Sequence, residues 1–559
     1  MSGIATGVEF VFALVLMLGV VVTVHELGHF VAAKACGVRV LKFSIGFGNP
    51  VGFGRFRLRW LRNGTEYVIA WFPLGGFVKM LGEANDDEAN AQRSATPPPD
   101  SLAAQPLWRK LVIVLAGPVM NLILPVVVVT GSLWVGIERR DPTVGTVEPG
   151  SPAAEAGIRP GDRVLALDGG PIHFWDDLER AVRERPGATL ALSLVRGDEQ
   201  FERTLATLQK SGLDLLGQKD DVGWLGLQHH RQSATLGILS LDSPAARAGL
   251  RSGDRVVALA GAPVADWTAF VAAYAAAAPG SVSLRVSRGA EENAQEQDVT
   301  VPLLGDLAKL GVIPAVVLVA AVSPDMPAAE AGIQPGDLLV AVDGAPVGSF
   351  GTFRENVLAS EGKPLDVTVA RDGETRVLRL APRLGKAAPE DPQEQYLIGI
   401  SAVNAILPGA SVIDRVRNPL RAVPRAISAT VETTGAFLAG LGKIVSGDIS
   451  RRSIGGPIEI ARQSHLALQR GWESFVSLLV IISINLGILN LLPIPILDGG
   501  QALLFTLEAL GRGPLPLRAR EWMQQVGLFL LVGLMGFAFW NDVTRYWLSF
   551  FEWLKSLSS

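Results

Sequence analysis

The 559-residue chain is predicted to be a multi-pass α-helical membrane protein interrupted by a large extracytoplasmic insert of three small α+β domains in tandem. Three observations predict this. Four long apolar runs are present, the stretch between the second and third of them repeats itself three times, and the short loops are basic on one side only. Hydrophobic residues make up 48% and charged residues 19%, too polar a balance for a chain that is membrane throughout. A net charge of -4 with no basic patch in the middle region argues against a nucleic-acid partner.

The first span, Val8 to Cys36 within residues 1–36, closes on Val24-His25-Glu26-Leu27-Gly28-His29-Phe30. A helix turns about 100° per residue, so His25 and His29 share one face a turn apart and can grip one zinc ion. Glu26 projects beside them and can take the proton of a zinc-bound water. Two histidines and a glutamate are costly in a hydrocarbon-facing segment unless they have partners or a function, and here they arrive together at metal-ligand spacing. The run has no basic leader and no convincing small-residue cleavage site, so it is expected to be retained rather than removed as a signal peptide. Residues 37–106 form a loop whose polar stretch Glu83 to Pro106, with prolines at 97 to 99, reads as a flexible linker.

The second span, Leu111 to Ile137 within 107–138, holds no ionisable side chain. The third, Phe475 to Leu497 within 472–510, runs into Asn490-Leu491-Leu492-Pro493-Ile494-Pro495-Ile496-Leu497-Asp498-Gly499-Gly500. Asp498 would be a third protein ligand, leaving the fourth tetrahedral position for water, as catalytic zinc requires. The two prolines break the helix just before it, and irregular backbone at membrane depth is tolerated where protein encloses it or a wet cavity borders it. The fourth span, about Val526 to Trp540 within 522–550, is short, with Trp522 and the Trp547 region as interfacial anchors. Lys34, Arg39, Lys42, Arg55, Arg57, Arg59, Arg62, Arg109 and Lys110 lie between spans one and two, and Arg512, Arg518 and Arg520 between three and four. Both loops are therefore expected in the cytoplasm, and the middle region and both termini outside it; Arg139 and Arg140 argue weakly the other way.

HExxH in a first span with NxxPxPxLDG in a later one resembles the site-2 family of intramembrane zinc metalloproteases, in its bacterial branch that regulates sigma-E. Gly75-Gly76-Phe77-Val78-Lys79-Met80 and Gly117-Pro118-Val119-Met120-Asn121 also look like family segments. The resemblance implies one Zn2+ per chain on His25, His29 and Asp498, catalysis by Glu26, and single-pass membrane proteins as substrates. It also implies substrate backbone contacts from Asn490 and from a membrane-associated β-hairpin containing Gly75, Gly76, Phe77 and Val78. A helix–helix hydrogen bond is the other common use of an asparagine such as Asn490 in a membrane.

The middle region repeats plainly. Ser151-Pro152-Ala153-Ala154-Glu155-Ala156-Gly157-Ile158 leads to Gly161-Asp162-Arg163-Val164 and Asp168-Gly169. The pattern returns at Ser243 to Leu250 with Gly253-Asp254 and Gly261, and at Met326 to Ile333 with Gly336-Asp337 and Asp343-Gly344. Each copy reads as a turn of helix ending at glycine, a Gly-Asp turn, and an apolar strand running into a second glycine turn. The units 141–230, 231–315 and 316–403 resemble PDZ domains, which add a ligand strand to a sheet edge. The apolar-Gly-apolar triplets around Gly226, Gly311 and Gly399 are candidate loops for peptide C-terminal carboxylates. One follows each repeat, which implies a circularly permuted PDZ. The related bacterial proteases are expected to carry two such units, so the third is a departure. Ala260 stands where the other copies have Asp, so its turn is expected to differ.

Residues 404–471 read as an amphipathic surface segment, with Pro424 to Val445 a helix that lies along the membrane or else covers the helix bundle. The single cysteine, Cys36, forms no internal disulfide, so the outer region depends on ordinary cores. His173, His229, His230 and His465 are expected at the surface. The competing function is a membrane-anchored scaffold whose PDZ array binds exposed C-termini beside a vestigial zinc site. A metal transporter is disfavoured because the remaining spans offer almost no polar path.

Overall fold

The computed structural model describes residues 2–558 apart from 54–55, 83–97, 214–218, 239, 241, 290–293, 316, 348–349, 372–373, 386–394, 404, 448–454, 512 and 514. Most of the expected linker, with Arg55 and Arg512, lies outside the described residues. The chain divides into two compact units, residues 1–137 with 414–559, and residues 138–413.

The first unit is built on helices α1 (Ser2–Ala35), α2 (Leu107–Val135), α3 (Pro419–Ser446), α4 (Pro457–Gln469), α5 (Trp472–Leu491), α6 (Asp498–Leu510) and α7 (Leu517–Ser558). Among the described residues four helices are long and apolar enough to cross a membrane: Glu9–Ala35, Leu107–Val135, Trp472–Leu491 and Arg518–Thr544. The fourth is longer than its apolar run suggested, because polar residues at both ends continue the helix. Small residues bring the helices close: a Cβ on Gly28 of α1 would lie 2.4 Å from the Ala116 carbonyl of α2. Pro125 has no N–H for the Asn121 carbonyl one turn back, and the Ser483 hydroxyl of α5 donates to that carbonyl instead at 2.7 Å. Asp542 of α7 is fully buried and accepts from the backbone N–H groups of Gly456, Ile458 and Glu459, capping α4.

Of the two courses expected for Pro424 to Val445, α3 takes the one that covers the bundle. It packs lengthwise against α2 and α5: Val416 N–H bonds Leu133 O at the end of α2, and Phe437 joins the cluster around Val480, Ile484 and Ile488. The reason is its inner face, where fully buried Ala422 and Ala426 permit close approach. Thr430, Thr433 and Thr434 donate back into their own helix, so no hydroxyl is stranded there.

Strands β1 (Val40–Pro50), β2 (Gly52–Phe53), β3 (Phe56–Arg57), β4 (Arg59–Arg62) and β5 (Thr65–Met80) follow α1. β5 doubles round β1, so that Phe43 pairs with both Tyr67 and Val78, and Ile45 with both Ile69 and Gly76. β4 extends the Thr65 arm. Among the described residues no further strand pairs with the outer edge of the Gly75–Val78 stretch of β5. The end of the expected linker is packed rather than free: Leu102 is buried and its N–H bonds Leu81 O.

The second unit holds three hydrophobic cores, one per repeat. In the first repeat a four-stranded antiparallel sheet, ordered Glu199–Ala206, Thr189–Arg196, Arg163–Leu167 and Gly170–Pro171, packs with helices Pro152–Glu155 and Trp175–Arg183. The other two repeats have the same order of parts. A shared clamp joins the glycine turn to the sheet. Asp162, Asp254 and Asp337, each with a side chain 1% exposed, bind Arg196, Arg288 and Arg371 in bidentate fashion. The same guanidinium groups donate to the Gly157, Gly249 and Gly332 carbonyls. The carboxylate hydrogen bonds hold Arg196 and Arg288 above the usual arginine range.

Two sequence expectations change here. Ala260 adopts the same left-handed turn as its aspartate counterparts, with φ of 48° against 49° at Asp168 and 48° at Asp343. What it lacks is the side-chain bond that Asp168 and Asp343 make to Ala191 N–H and Asp366 N–H. His465 is buried at 8% exposure within α4, its Nε2 beside Gln469, because that face of α4 packs on α1.

Candidate metal centre

α1 delivers His25 and His29 on one face, buried to 7% and 8% exposure. Asp498 opens α6, where the chain resumes helix after the Pro493–Pro495 break. Its Oδ2 lies 3.1 Å from His25 Nε2 and 3.6 Å from His29 Nε2, and the two Nε2 atoms are 3.2 Å apart. Ligand atoms around a tetrahedral ion at about 2.0–2.1 Å are separated by roughly 3.4 Å. The triangle therefore has the size that a zinc ion needs, and its donors, two imidazole nitrogens and one carboxylate oxygen, are those of an open catalytic site. Among the described residues this is the one His/Cys/Asp/Glu group that could hold a metal ion.

Both imidazoles are oriented from behind. His29 Nδ1 is 2.9 Å from the Ile113 carbonyl, so that nitrogen carries the proton and Nε2 is left free. His25 Nδ1 is 3.3 Å from the side-chain amide of Asn121, which is fully buried. The amide nitrogen faces the ring, and Oδ1 has no hydrogen-bond partner. Turning it over gives Oδ1 the ring N–H and leaves His25 Nε2 for the metal. Gly117, one turn before Asn121, makes room for the rings: a Cβ there would lie 2.3 Å from His29 Nε2 and 2.8 Å from His25 Cε1. Sequence reading quoted these two residues without giving them a role. The signal was a lone Asn four residues after a Gly in a span free of ionisable groups.

The Asp498 backbone is equally constrained. A Cβ on Gly499 would lie 2.2 Å from Leu491 O, and one on Gly500 2.0 Å from Ile494 O, so the start of α6 rests directly on the proline turn. Asn490 ends up beside the triad, its Nδ2 3.5 Å from His25 Nε2. Glu26 faces the β5 arm, its carboxylate toward the Val78 backbone N–H. Gly76 is close enough that a Cβ would lie 3.1 Å from Glu26 Cγ. Gly75 underlies the Phe47 ring, and Phe77 stacks on Phe47 at 6.3 Å. The predicted residues of the first unit thus gather at one place.

Gly226, Gly311 and Gly399 belong to the second unit. Each turns the chain at φ of 80°, 82° or 80° against the residue preceding its own repeat's Pro-Ala-Ala helix, Ser151, Ser243 or Met326. The strand that starts at the end of each triplet pairs with the strand preceding the same repeat's Pro-Ala-Ala helix, Leu227–Gln228 with Thr146–Val147 for example.

The peptidase family M50 model matches residues 13–534. The chain is 31% identical over 534 residues to the regulator of sigma-E protease RseP of Escherichia coli, covering 95% of this chain and 97% of that one. It is 31% identical over 533 residues to the Salmonella typhimurium protein of the same name, covering 95% and 98%, and 30% identical over 534 residues to protease RseP of Yersinia pestis, again covering 95% and 98%. With a family match across nearly its whole length and a metal triangle of the right size, the chain belongs to peptidase family M50 and is a zinc metalloendopeptidase.

Proposed function

We propose that this peptidase cuts single-pass membrane proteins within their membrane-spanning segments, after an earlier cleavage has trimmed their outer domains. The observation that carries the reading is the position of the triad, at the end of an apolar helix and beside a strand edge that no further strand covers among the described residues. His25, His29 and Asp498 would hold the zinc, which when bound supplies Lewis-acid polarisation of a carbonyl and acidification of water. Glu26 takes the proton of the attacking water and returns it to the departing amine. A peptide bond inside a helix is shielded by neighbouring turns, and backbone groups unpaired in lipid cost several kcal/mol each. The substrate must therefore exchange helical bonds for strand bonds, and the edge at Gly75, Gly76, Phe77 and Val78, which no further strand covers among the described residues, offers them. Asn490 holds the extended segment beside His25.

The three repeats act as PDZ-like filters on the extracytoplasmic side, with Gly226, Gly311 and Gly399 in the loops that receive C-terminal carboxylates. Closure of each repeat by its last strand on the strand preceding its Pro-Ala-Ala helix supports a permuted PDZ. The basic loops support a cytoplasmic position for the zinc end of α1 in the inner membrane. Anti-sigma factors, by analogy with the names of the relatives, and remnant signal peptides are the substrate classes that fit. The test is reconstitution of the purified chain with candidate membrane segments, with and without a zinc chelator, and mapping of products by mass spectrometry. Chelator-sensitive cuts inside the apolar segment are expected. Peptide binding with no cleavage by the metal-loaded protein would point to the scaffold instead.

A further inference from the structure

We infer that the consecutive strands β3 and β4, Phe56–Arg62, dock on anionic phospholipid headgroups of the leaflet nearest the C-terminal end of α1. Residues 56–64 contain three arginines, at 57, 59 and 62, and no acidic residue. Interleaved with them, Phe56, Leu58, Trp60 and Leu61 are 78%, 48%, 50% and 75% exposed. Arg59 meets Glu66 only at 3.7 Å with both groups in the open, and Arg57 and Arg62 have no acidic partner among the described residues.

So much apolar area is unfavourable on a strand in water, and alternating charge with aromatic residues suits the interfacial layer of a bilayer. There the rings bury among headgroups and each guanidinium meets a phosphate. Position supplies the second argument. Trp60 stacks on Tyr67 at 5.4 Å and 8°, and Tyr67 meets Phe30 of α1 at 5.9 Å. β4 therefore stands one ring away from a membrane-crossing helix, at a position four residues beyond Glu26. Phe47, Trp71 and Phe72, exposed to 48%, 51% and 68%, extend the apolar surface of the same sheet. Charge complementarity and this anchoring select an anionic membrane surface over a nucleic acid, which the chain's net charge of -4 does not favour.

The test uses the full chain with Cys36→Ser and a nitroxide on Leu61→Cys, in nanodiscs of phosphatidylcholine alone or mixed with phosphatidylglycerol. Relative accessibility to oxygen and to a water-soluble nickel chelate reports immersion. Immersion is expected with phosphatidylglycerol and not without it. The triple change Arg57→Gln, Arg59→Gln, Arg62→Gln should lower the partition about 100-fold, about fivefold for each charge, and triple lysine should restore it. Bound metal in the same samples reports an intact fold; if the triple variant lost it, R57Q and R62Q singly carry the test. A label exposed to water in both lipids, immersed equally in both, unaffected by the loss of charge, or immersed without phosphatidylglycerol once an oligonucleotide is added would overturn the inference. The readout is independent of peptide hydrolysis.

Discussion

The metal centre and the Asp–Arg clamps of the repeats solve the same problem, burying ionisable groups, by opposite routes. Each clamp is local, its two ends 34 residues apart in all three copies. Its carboxylate spends its oxygens on one guanidinium and on the N–H of Arg159, Arg251 or Gln334. The triad gathers residues from near the two ends of the chain and leaves its three ligand atoms facing one another at 3.1 to 3.6 Å. A clamp is complete as folded, whereas the triad is arranged for something that the chain does not itself supply. Saturated partners signal architecture here, and donors facing one another signal chemistry.

The largest effect that sharpens this contrast is at Glu26. Glu26→Gln should lower hydrolysis of a helical substrate about 10²–10⁴-fold while bound zinc stays near one per chain, measured by turnover and by metal analysis. Asp498→Asn should lose the metal itself, and normal turnover by either variant would break the assignment of roles. In the repeats, Asp337→Ala should cost about 3 kcal/mol, since it takes the carboxylate from the least exposed of the three guanidinium groups, Arg371 at 14%. Asp162→Ala should cost less, because Arg196 at 35% is better solvated. Urea unfolding of the region 138–413 would read both, and equal costs would show that solvent access to the arginine does not set the energy.

A smaller effect is expected at Asn121, which touches the metal centre only from behind. Asn121→Ala should weaken zinc affinity about 10–100-fold with Glu26 untouched, and Asn121→Gln should not rescue it, because the longer side chain cannot keep the 3.3 Å contact. Competition with a chromophoric chelator measures this. The smallest effect is electrostatic. Burial, with His229 beside it, lowers His230 from its ordinary 6.5, so the folded state binds less proton than the unfolded one. Stability from this group is complete above about pH 6.5 and falls as pH drops below it. His230→Gln should flatten that slope in unfolding titrations, and an unchanged slope would assign the acid sensitivity elsewhere.

The membrane spans, the repeats and the triad were legible in the sequence because each leaves a periodic or spaced signal: long apolar runs, a recurring Pro-Ala-Ala…Gly-Asp pattern, histidines four apart. Asn490 near His25 followed from the same motif. The course of α3 was not legible, since its moderate amphipathicity suits a helix on a membrane as well as one against a bundle, and only the alanines at 422 and 426 hint at close packing. Burial of His465 escaped for a similar reason, a polar residue whose neighbours on α4 do not reveal which face meets α1. The left-handed turn at Ala260 is not legible from the missing aspartate, because the turn does not depend on that side chain. The backbone bond from Ala260 N–H to Ser283 O makes the turn without it.

Gly499 and Gly500 carry a consequence for engineering. With barely 2 Å between a notional Cβ and the carbonyls beneath, any side chain added there would lift the start of α6 and carry the carboxylate away from both imidazoles. Cofactor retention in this enzyme is thus written into two positions that touch no ion at all. A library restricted to the coordinating residues would pass over the sites where the grip is most easily loosened.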